Sequence, residues 1–359
     1  MRKIAIVGTA GIPSKYGGFE TLTEYLTKFL GEKLDITVYC STKNYKEKKA
    51  QHNKAHLKYI NLDANGIQSI PYDILSLFHA SCNQDHILIL GVSGCIILPL
   101  FRLFYPKKKL IINIDGLEHR REKWNKGIQK FLKLSERFAV KYGNHIIADN
   151  KAIQDYIASE YNTRSELIAY GGDHSKAIDL SDKTRAQYGI PAHYAFKVCR
   201  IEPENNIHLI LEAFKGSYLP IVLIGNWQKS DYGLKLKEQY SKYSSILLLD
   251  PIYDQQVLDE IRSNCSIYVH GHSAGGTNPS LVEAMNLGLP IMAYDVSYNR
   301  ETTYSKAAYF KSAEELQELI TKSNKNDLQN IASEMKRIAQ EQYTWAKISD
   351  QYYKLISSN

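Results

Sequence analysis

Residues 267–293 read IYVHGHSAGGTNPSLVEAMNLGLPIMA. Ile267–His270 is short and apolar, the pattern of a buried strand. A loop follows that holds Gly271, Gly275 and Gly276. Pro279 then suits the first turn of a helix, because its fixed φ is already helical. The helix is predicted over Pro279–Leu287, and Pro290–Ala293 reads as the next strand. Strand, glycine loop, helix and strand in this order build a parallel sheet with covering helices.

The alternation extends outward from this unit. Upstream lie strand candidates Tyr194–Val198, Ile221–Ile224 and Ile246–Leu248, with helical patterns at Asn206–Phe214, Tyr232–Tyr243 and Gln255–Arg262. An earlier set has strands at Lys3–Val7, Ile36–Tyr39, Ile87–Leu90, Leu110–Ile114 and His145–Ala148. Its helical patterns are Phe19–Leu30, Tyr72–Cys82 and Glu122–Tyr142. The segment Ala169-Tyr-Gly-Gly-Asp173 interrupts both patterns. The expected fold class is therefore α/β, with two Rossmann-like, doubly wound domains over residues 1–170 and 171–340. Asp327–Ser358 reads as helices broken near Tyr343-Thr344, and the end, 341–359, is expected to pack back on the first domain. Two such domains imply a ligand cleft at the carboxyl ends of their strands.

At 359 residues and 41.0 kDa the chain is long enough for two cores. Its 44% hydrophobic and 23% charged residues exclude a disordered chain. The five cysteines are scattered without a CxxC pair, which argues against a disulfide framework or zinc site and for a reducing compartment. Arg2 and Lys3 lead straight into a strand, not a signal core. The longest apolar run, Ile87–Phe101, is too short to span a bilayer. The expected location is the cytoplasm, on the inner face of the membrane.

The net charge of +7 is unevenly placed. Residues 1–170 hold 25 basic against 16 acidic residues, net +9, and the remainder is net −2. In Glu122–Tyr142, Trp124, Ile128, Phe131, Leu132, Phe138 and Tyr142 recur at helical spacing. Lys126, Lys130, Lys133, Arg137 and Lys141 share another face. Such a face is either merely solvated or attracted to an anionic membrane or phosphate-bearing acceptor. The run Lys107–Lys109 after LPLFRLFYP supports the surface reading. No nucleic-acid module is visible.

The chemistry-bearing residues cluster after strands. GTAGIPSKYGGFE, residues 8–20, places Gly17 and Gly18 before a helix, where backbone can approach an anion. It is neither a P-loop nor GxGxxG, and the second strand ends without an acidic residue, so a dinucleotide dehydrogenase is disfavoured. Arg200 follows the strand Tyr194–Val198 and can neutralise a diphosphate. Gly275, Gly276, Thr277 and Asn278 precede the Pro279 helix, whose first-turn amides, Ser280 and Leu281 included, suit a phosphate. The same residues also make an ordinary helix cap. Glu283, one turn in, can accept from a ribose hydroxyl. Asp115, directly after a strand, can orient or deprotonate an acceptor hydroxyl, with Glu118 and His119 as runners-up. Arg120, Arg121 and Trp124 complete the expected acceptor surface. His270 and His272 are further candidates for the donor sugar.

Arg200–Phe214 and His270–Pro290 resemble the two donor-site signatures of family 4 glycosyltransferases, which have the GT-B fold. GTAGIPSKYGGFE, IDGLEHRREKW and HGHSAGGTNPSLVEAM together resemble a bacterial subgroup that builds capsular or O-antigen polysaccharide, often rhamnosyltransferases using dTDP-rhamnose. The resemblance implies that Arg200 binds the donor diphosphate, Glu283 the nucleoside ribose, and Gly17 and Gly18 approach the diphosphate. It places Asn205 where the family commonly has a lysine, and Gly275 where it has the first of two glutamates. A 6-deoxy sugar, one hydroxyl short, fits that gap. The implied acceptor is a saccharide on polyprenyl diphosphate, and the implied stereochemistry is retention. No cofactor and no metal are expected, as no DxD motif ends a strand. The alternatives are a non-catalytic nucleotide-sugar-binding protein and a GT-B-like epimerase or phosphorylase.

Overall fold

A computed structural model describes residues 1–15, 17–121 and 124–358. The chain divides into two compact units, Met1–Tyr170 with Trp345–Asn359, and Gly171–Thr344.

The first unit runs β1 (Arg2–Val7), α1 (Gly18–Leu30), β2 (Leu34–Ser41), β3 (Gln51–His52), β4 (Ala55–Ile60), α2 (Ser69–Ser81) and β5 (His86–Leu90). It continues α3 (Leu98–Phe104), β6 (Lys109–Ile114), α4 (Lys126–Tyr142), β7 (His145–Ala148), α5 (Lys151–Tyr161) and β8 (Glu166–Leu167). Among the described residues the sheet order is β3-β4-β2-β1-β5-β6-β7-β8, parallel except for the β3–β4 pair. The central strands are buried along nearly their whole length, as strands covered on both faces must be. From β5 onward each step moves the same way across the sheet. Right-handed crossovers therefore set α3, α4 and α5 on one face, and α1, which steps the other way, on the opposite face.

The second unit runs α6 (Asp182–Tyr188), β9 (Ala195–Val198), α7 (Ile207–Phe214), β10 (Ile221–Ile224), α8 (Asp231–Tyr240), β11 (Ile246–Leu249), α9 (Gln255–Ser263) and β12 (Ile267–His270). It ends with α10 (Pro279–Asn286), β13 (Ile291–Tyr294), α11 (Ser297–Thr302), β14 (Ala308–Phe310), α12 (Ala313–Lys322) and α13 (Lys325–Gln342). Its parallel sheet has the order β11-β10-β9-β12-β13-β14. Ile207, Ile210, Leu211 and Phe214 on α7 bury one stripe against Leu223 and Val269 of the sheet.

The last helix, α14 (Trp345–Ser357), belongs to the first unit and packs on α1. Trp345 stacks on Tyr25 with ring centroids 4.6 Å apart. The Asn113 amide on β6 donates to the Tyr352 hydroxyl at 2.8 Å.

Two sequence expectations are adjusted. The helix predicted from Glu122 starts at Lys126, because the Asn125 side chain accepts from the Ile128 N–H at 3.0 Å and caps the turn there; Glu122 itself lies outside the described residues. Lys133 leaves the solvated stripe and pairs with buried Glu136 and with Glu160. No described helix is long and apolar enough to cross a membrane.

Candidate functional site

In the second unit β9 and β12 are neighbours, so the loops after them share one rim of the sheet. Hydrogen bonds fasten the loops together. Asn206 Nδ2 donates to the Gly271 carbonyl at 2.9 Å, and the Ser273 N–H and hydroxyl both donate to the Glu204 carbonyl at 2.9 Å. Arg200 stands on the first loop with its guanidinium well exposed and 3.8 Å from Glu202. Asn205 is buried, and its amide donates to the Arg200 carbonyl at 2.7 Å. Its side chain braces the loop that carries Arg200.

Gly275 has φ +119°, a backbone state that side-chain-bearing residues rarely adopt. A glutamate there would strain the loop, which gives a conformational reason for the glycine. Asn278 sits at the start of α10 with extended backbone and its carbonyl accepts from the N–H groups of Leu281 and Val282, at 3.0 and 3.2 Å. Leu281 is fully buried. The Leu281 side chain packs the interior, and its N–H donates to the Asn278 carbonyl. Gly276 and Thr277 are buried in the bend, and Ser280 is the second residue of α10. His272 stacks on His270, ring centroids 4.4 Å apart, and its carbonyl accepts from Asn299 at 2.9 Å. Burial, with the Lys197 ammonium nearby, pushes the His270 imidazole well below its usual range, so it is neutral.

Glu283 lies in a charge network that sequence reasoning missed. Its carboxylate pairs with Arg262 through Oε2 and with His174 Nε2 through Oε1 at 3.1 Å. Arg262 is wholly buried and bonds Asp259 at 2.7 Å as well. Burial alone would raise the Glu283 carboxyl; the Arg262 guanidinium and His174 override it and hold it at about 2. The segment after Tyr170 lies on α10, where the Ser175 hydroxyl donates to the Glu283 carbonyl at 3.2 Å. The network fixes an ionised acceptor in a rigid setting, which suits a hydroxyl donor such as ribose.

In the first unit Gly17 caps α1 with φ +136°. Glu20, in the first turn, turns back into the loop and accepts from the Ala10 N–H at 2.8 Å and the Thr9 hydroxyl at 3.2 Å. Tyr45 donates to the carbonyls of Gly11 and Pro13 at 2.7 and 2.9 Å. The loop with Gly17 and Gly18 is therefore braced from both sides. Asp115 follows β6, and Asp149, buried, follows β7. Burial raises the Tyr170 phenol, and the charges of Asp115, Asp149 and Glu20 add to the shift. Asp149 has the same signal as Asp115, an aspartate just past an apolar strand, and was legible in that respect.

The expected acceptor residues form two local clusters. Glu118 pairs with Arg121, and the Trp124 Nε1–H donates to it at 3.2 Å. The His119 Nδ1 lies 3.0 Å from buried Glu136, which also accepts from Tyr156 and Tyr161 at 2.7 and 2.5 Å. Arg120 lies over the Tyr156 ring, 4.7 Å from its centroid. Burial would raise the Glu136 carboxyl, but the bonds from His119 and both tyrosines keep it below its usual range. Among the described residues no group of three His, Cys, Asp or Glu is disposed to hold a metal.

Two parallel-sheet Rossmann-like units give the chain the GT-B fold, and the match of the second unit to a glycosyltransferase family makes it a glycosyltransferase. More particularly, residues 181–342 match the family Glycosyl transferases group 1, and residues 1–173 match a domain of unknown function, DUF1972. No curated protein matches the chain. Among solved structures it is similar to sucrose-phosphate synthase from Thermosynechococcus elongatus, with a TM-score of 0.78 and 13% identity over 99% of this chain and 98% of that one. It is also similar to Anabaena HepE in complex with UDP and glucose, with a TM-score of 0.74 and 16% identity over the whole of both chains. A glycosyltransferase from Rickettsia africae gives a TM-score of 0.72 at 12% identity over 99% and 98%.

Proposed function

We propose that the chain moves L-rhamnose from dTDP-rhamnose to a saccharide carried on polyprenyl diphosphate, with retention, in the synthesis of a bacterial capsule or O-antigen. One observation supports the donor half most: the Arg200 loop is hydrogen-bonded to the loop that leads into α10, so a guanidinium and the approach to a glycine-rich helix start share one rim of the sheet. Both favour the charge that develops on a departing diphosphate, without a metal. Glu283, held by Arg262 and His174, receives the nucleoside sugar. The glycine forced at 275 leaves out one carboxylate for sugar hydroxyls, in keeping with a 6-deoxy donor.

The first unit takes the acceptor. Asp115 orients its hydroxyl, and Glu118, His119, Arg120, Arg121 and Trp124 border it. A net charge of +9 over residues 1–170 suits a diphosphate-linked acceptor at the anionic inner face of the membrane.

The test is thermal shift against dTDP-, UDP- and GDP-sugars, followed by transfer assays. A saturating nucleotide sugar should raise Tm, by about 3 kcal/mol of stabilisation at a hundredfold excess over Kd. Arg200→Ala should abolish transfer, and EDTA should leave the rate unchanged. If no nucleotide sugar shifts Tm, the reading fails.

A further inference from the structure

The first unit carries apolar side chains on its outside that neither the donor nor the acceptor reading uses. On α3, Leu100, Leu103 and Phe104 are exposed, Leu103 by 74% and Phe104 by 63%. The spacing puts all three on one side of the helix, away from buried Leu98 and Phe101. Beside it α4 shows Lys126, Lys130, Leu134, Arg137 and Lys141 as one exposed stripe, four cations around a leucine. Helices α3 and α4 pack together and lie on the same face of the sheet, so their outward sides make one surface.

Arg102 locks this surface. Its guanidinium donates to the carbonyl of Tyr142 at 3.0 and 2.6 Å, to Asn144 Oδ1 at 2.6 Å and to the Lys108 carbonyl at 2.6 Å. The end of α3, the turn after it and the end of α4 are thereby joined. The basic run is redistributed in the process. Lys108 donates to the Gln84 carbonyl at 2.7 Å and Lys109 to that of Ser358 at 3.2 Å, while Lys107 stays exposed beside Phe104. The one carboxylate within α4, Glu136, is buried, so the outward faces of α3 and α4 present cations and apolar groups with no acid among them.

We propose that this α3–α4 face is a membrane-docking surface, in which Leu103 and Phe104 enter the acyl boundary of an anionic bilayer while Lys107, Lys130, Arg137 and Lys141 meet its headgroups. The proposal refines the membrane contact of the function proposed above. Charge complementarity selects the occupant: a cation-rimmed apolar patch matches a negatively charged lipid surface, which supplies hydrocarbon and phosphate at the depths the two residue types require.

The full-length chain is floated with vesicles of phosphatidylcholine and of a phosphatidylcholine–phosphatidylglycerol mixture. It should float with the mixture and not with phosphatidylcholine alone, and rising salt should release it. The double variant Leu103→Ser/Phe104→Ser and the triple variant Lys130→Glu/Arg137→Glu/Lys141→Glu should each lower the bound fraction about tenfold. All these side chains are exposed, and an unchanged Tm confirms folding; Leu234→Ser in the second unit should have no effect. The proposal is overturned if the wild type ignores anionic vesicles, binds neutral ones equally, or is indifferent to both variants. It is also overturned if sedimentation shows a dimer that the double variant dissolves and no vesicle binding, which would give the face to a second copy of the chain. Nucleotide thermal shifts on the same preparations separate the two readings: flotation without a shift sinks the transferase, and a shift without flotation sinks only the docking face.

Discussion

Glu283 shows how a single buried carboxylate is held ionised. Its folded pKa is depressed to about 2 from an ordinary 4.5, by Arg262 and His174 working against burial. A depressed carboxyl contributes stability that is full above its unfolded pKa and is lost as pH falls through the folded one. The window here runs from about 4.5 down to about 2, and a displacement of this size corresponds to roughly 3 kcal/mol. Glu283→Gln leaves Arg262 buried with Asp259 alone and should cost about 3–5 kcal/mol at neutral pH. The deficit should shrink as pH falls from 5 toward 3, because the wild type is then losing the same ionised group. Urea midpoints measured across that range check it; a constant offset would refute the assignment. Arg200 and Glu283 were legible because each sits at a fixed distance from a strand or a proline-led helix. Arg262, Asp259 and His174 were not, because they come from the end of α9 and the segment after Tyr170, and no spacing rule links either to α10. The sequence likewise revealed that Asn205 stands where a lysine is usual, but not that its amide is spent on the Arg200 carbonyl.

At the scale of elements, buried strands were the easiest part to read. Ile221–Ile224, His145–Ala148 and Ile267–His270 were recognised with their final boundaries, since strands covered on both faces are uniformly apolar. The β3–β4 pair was missed because QHNKAHLKYI alternates polar and apolar residues in a short edge hairpin. Helix α3 was missed because LPLFRLF, with three apolar side chains left outside, lacks the one-sided pattern of a packed helix. The glycine loop before α1 offers a test of how an element boundary is built. Gly17 has φ +136° and ψ 149°, a region nearly reserved for glycine, and a Cβ there would collide with the Glu20 carboxylate that holds the Ala10 N–H. Gly18 is already the first residue of the helix. Gly17→Ala should therefore destabilise the first unit by about 1–3 kcal/mol. Gly18→Ala should be neutral or stabilise it by up to about 1 kcal/mol. Chemical denaturation of both variants decides; equal losses would mean the loop is not held as described.

At the scale of the molecule, the order of the chain and the order of the fold differ. The second unit is one continuous stretch, Gly171–Thr344, whereas the first is completed only by the final helix. That helix supplies core, not decoration: Trp345, Ile348, Tyr352 and Ile356 are buried, Trp345 stacks on Tyr25, and Tyr352 takes the otherwise buried Asn113 amide. The two ends of the first unit also meet, since Arg2 donates to the Ile356 carbonyl at 2.9 Å. Residues 171–344 expressed alone should therefore fold cooperatively and keep the nucleotide-induced thermal shift, because their sheet, core and Arg262–Glu283 network are all internal. Residues 1–170 alone should fail, because loss of α14 uncovers apolar strand and helix surface worth several aromatic side chains, each about 2–3 kcal/mol when buried. Fusing residues 345–358 ahead of Met1 through a flexible linker should restore a cooperative transition, as the meeting of Arg2 with Ile356 permits. Calorimetry on the three fragments is the measurement. If residues 1–170 melt as sharply without α14 as with it, the last helix is not part of that core, and the division of the chain at Tyr170 and Thr344 does not describe how it folds.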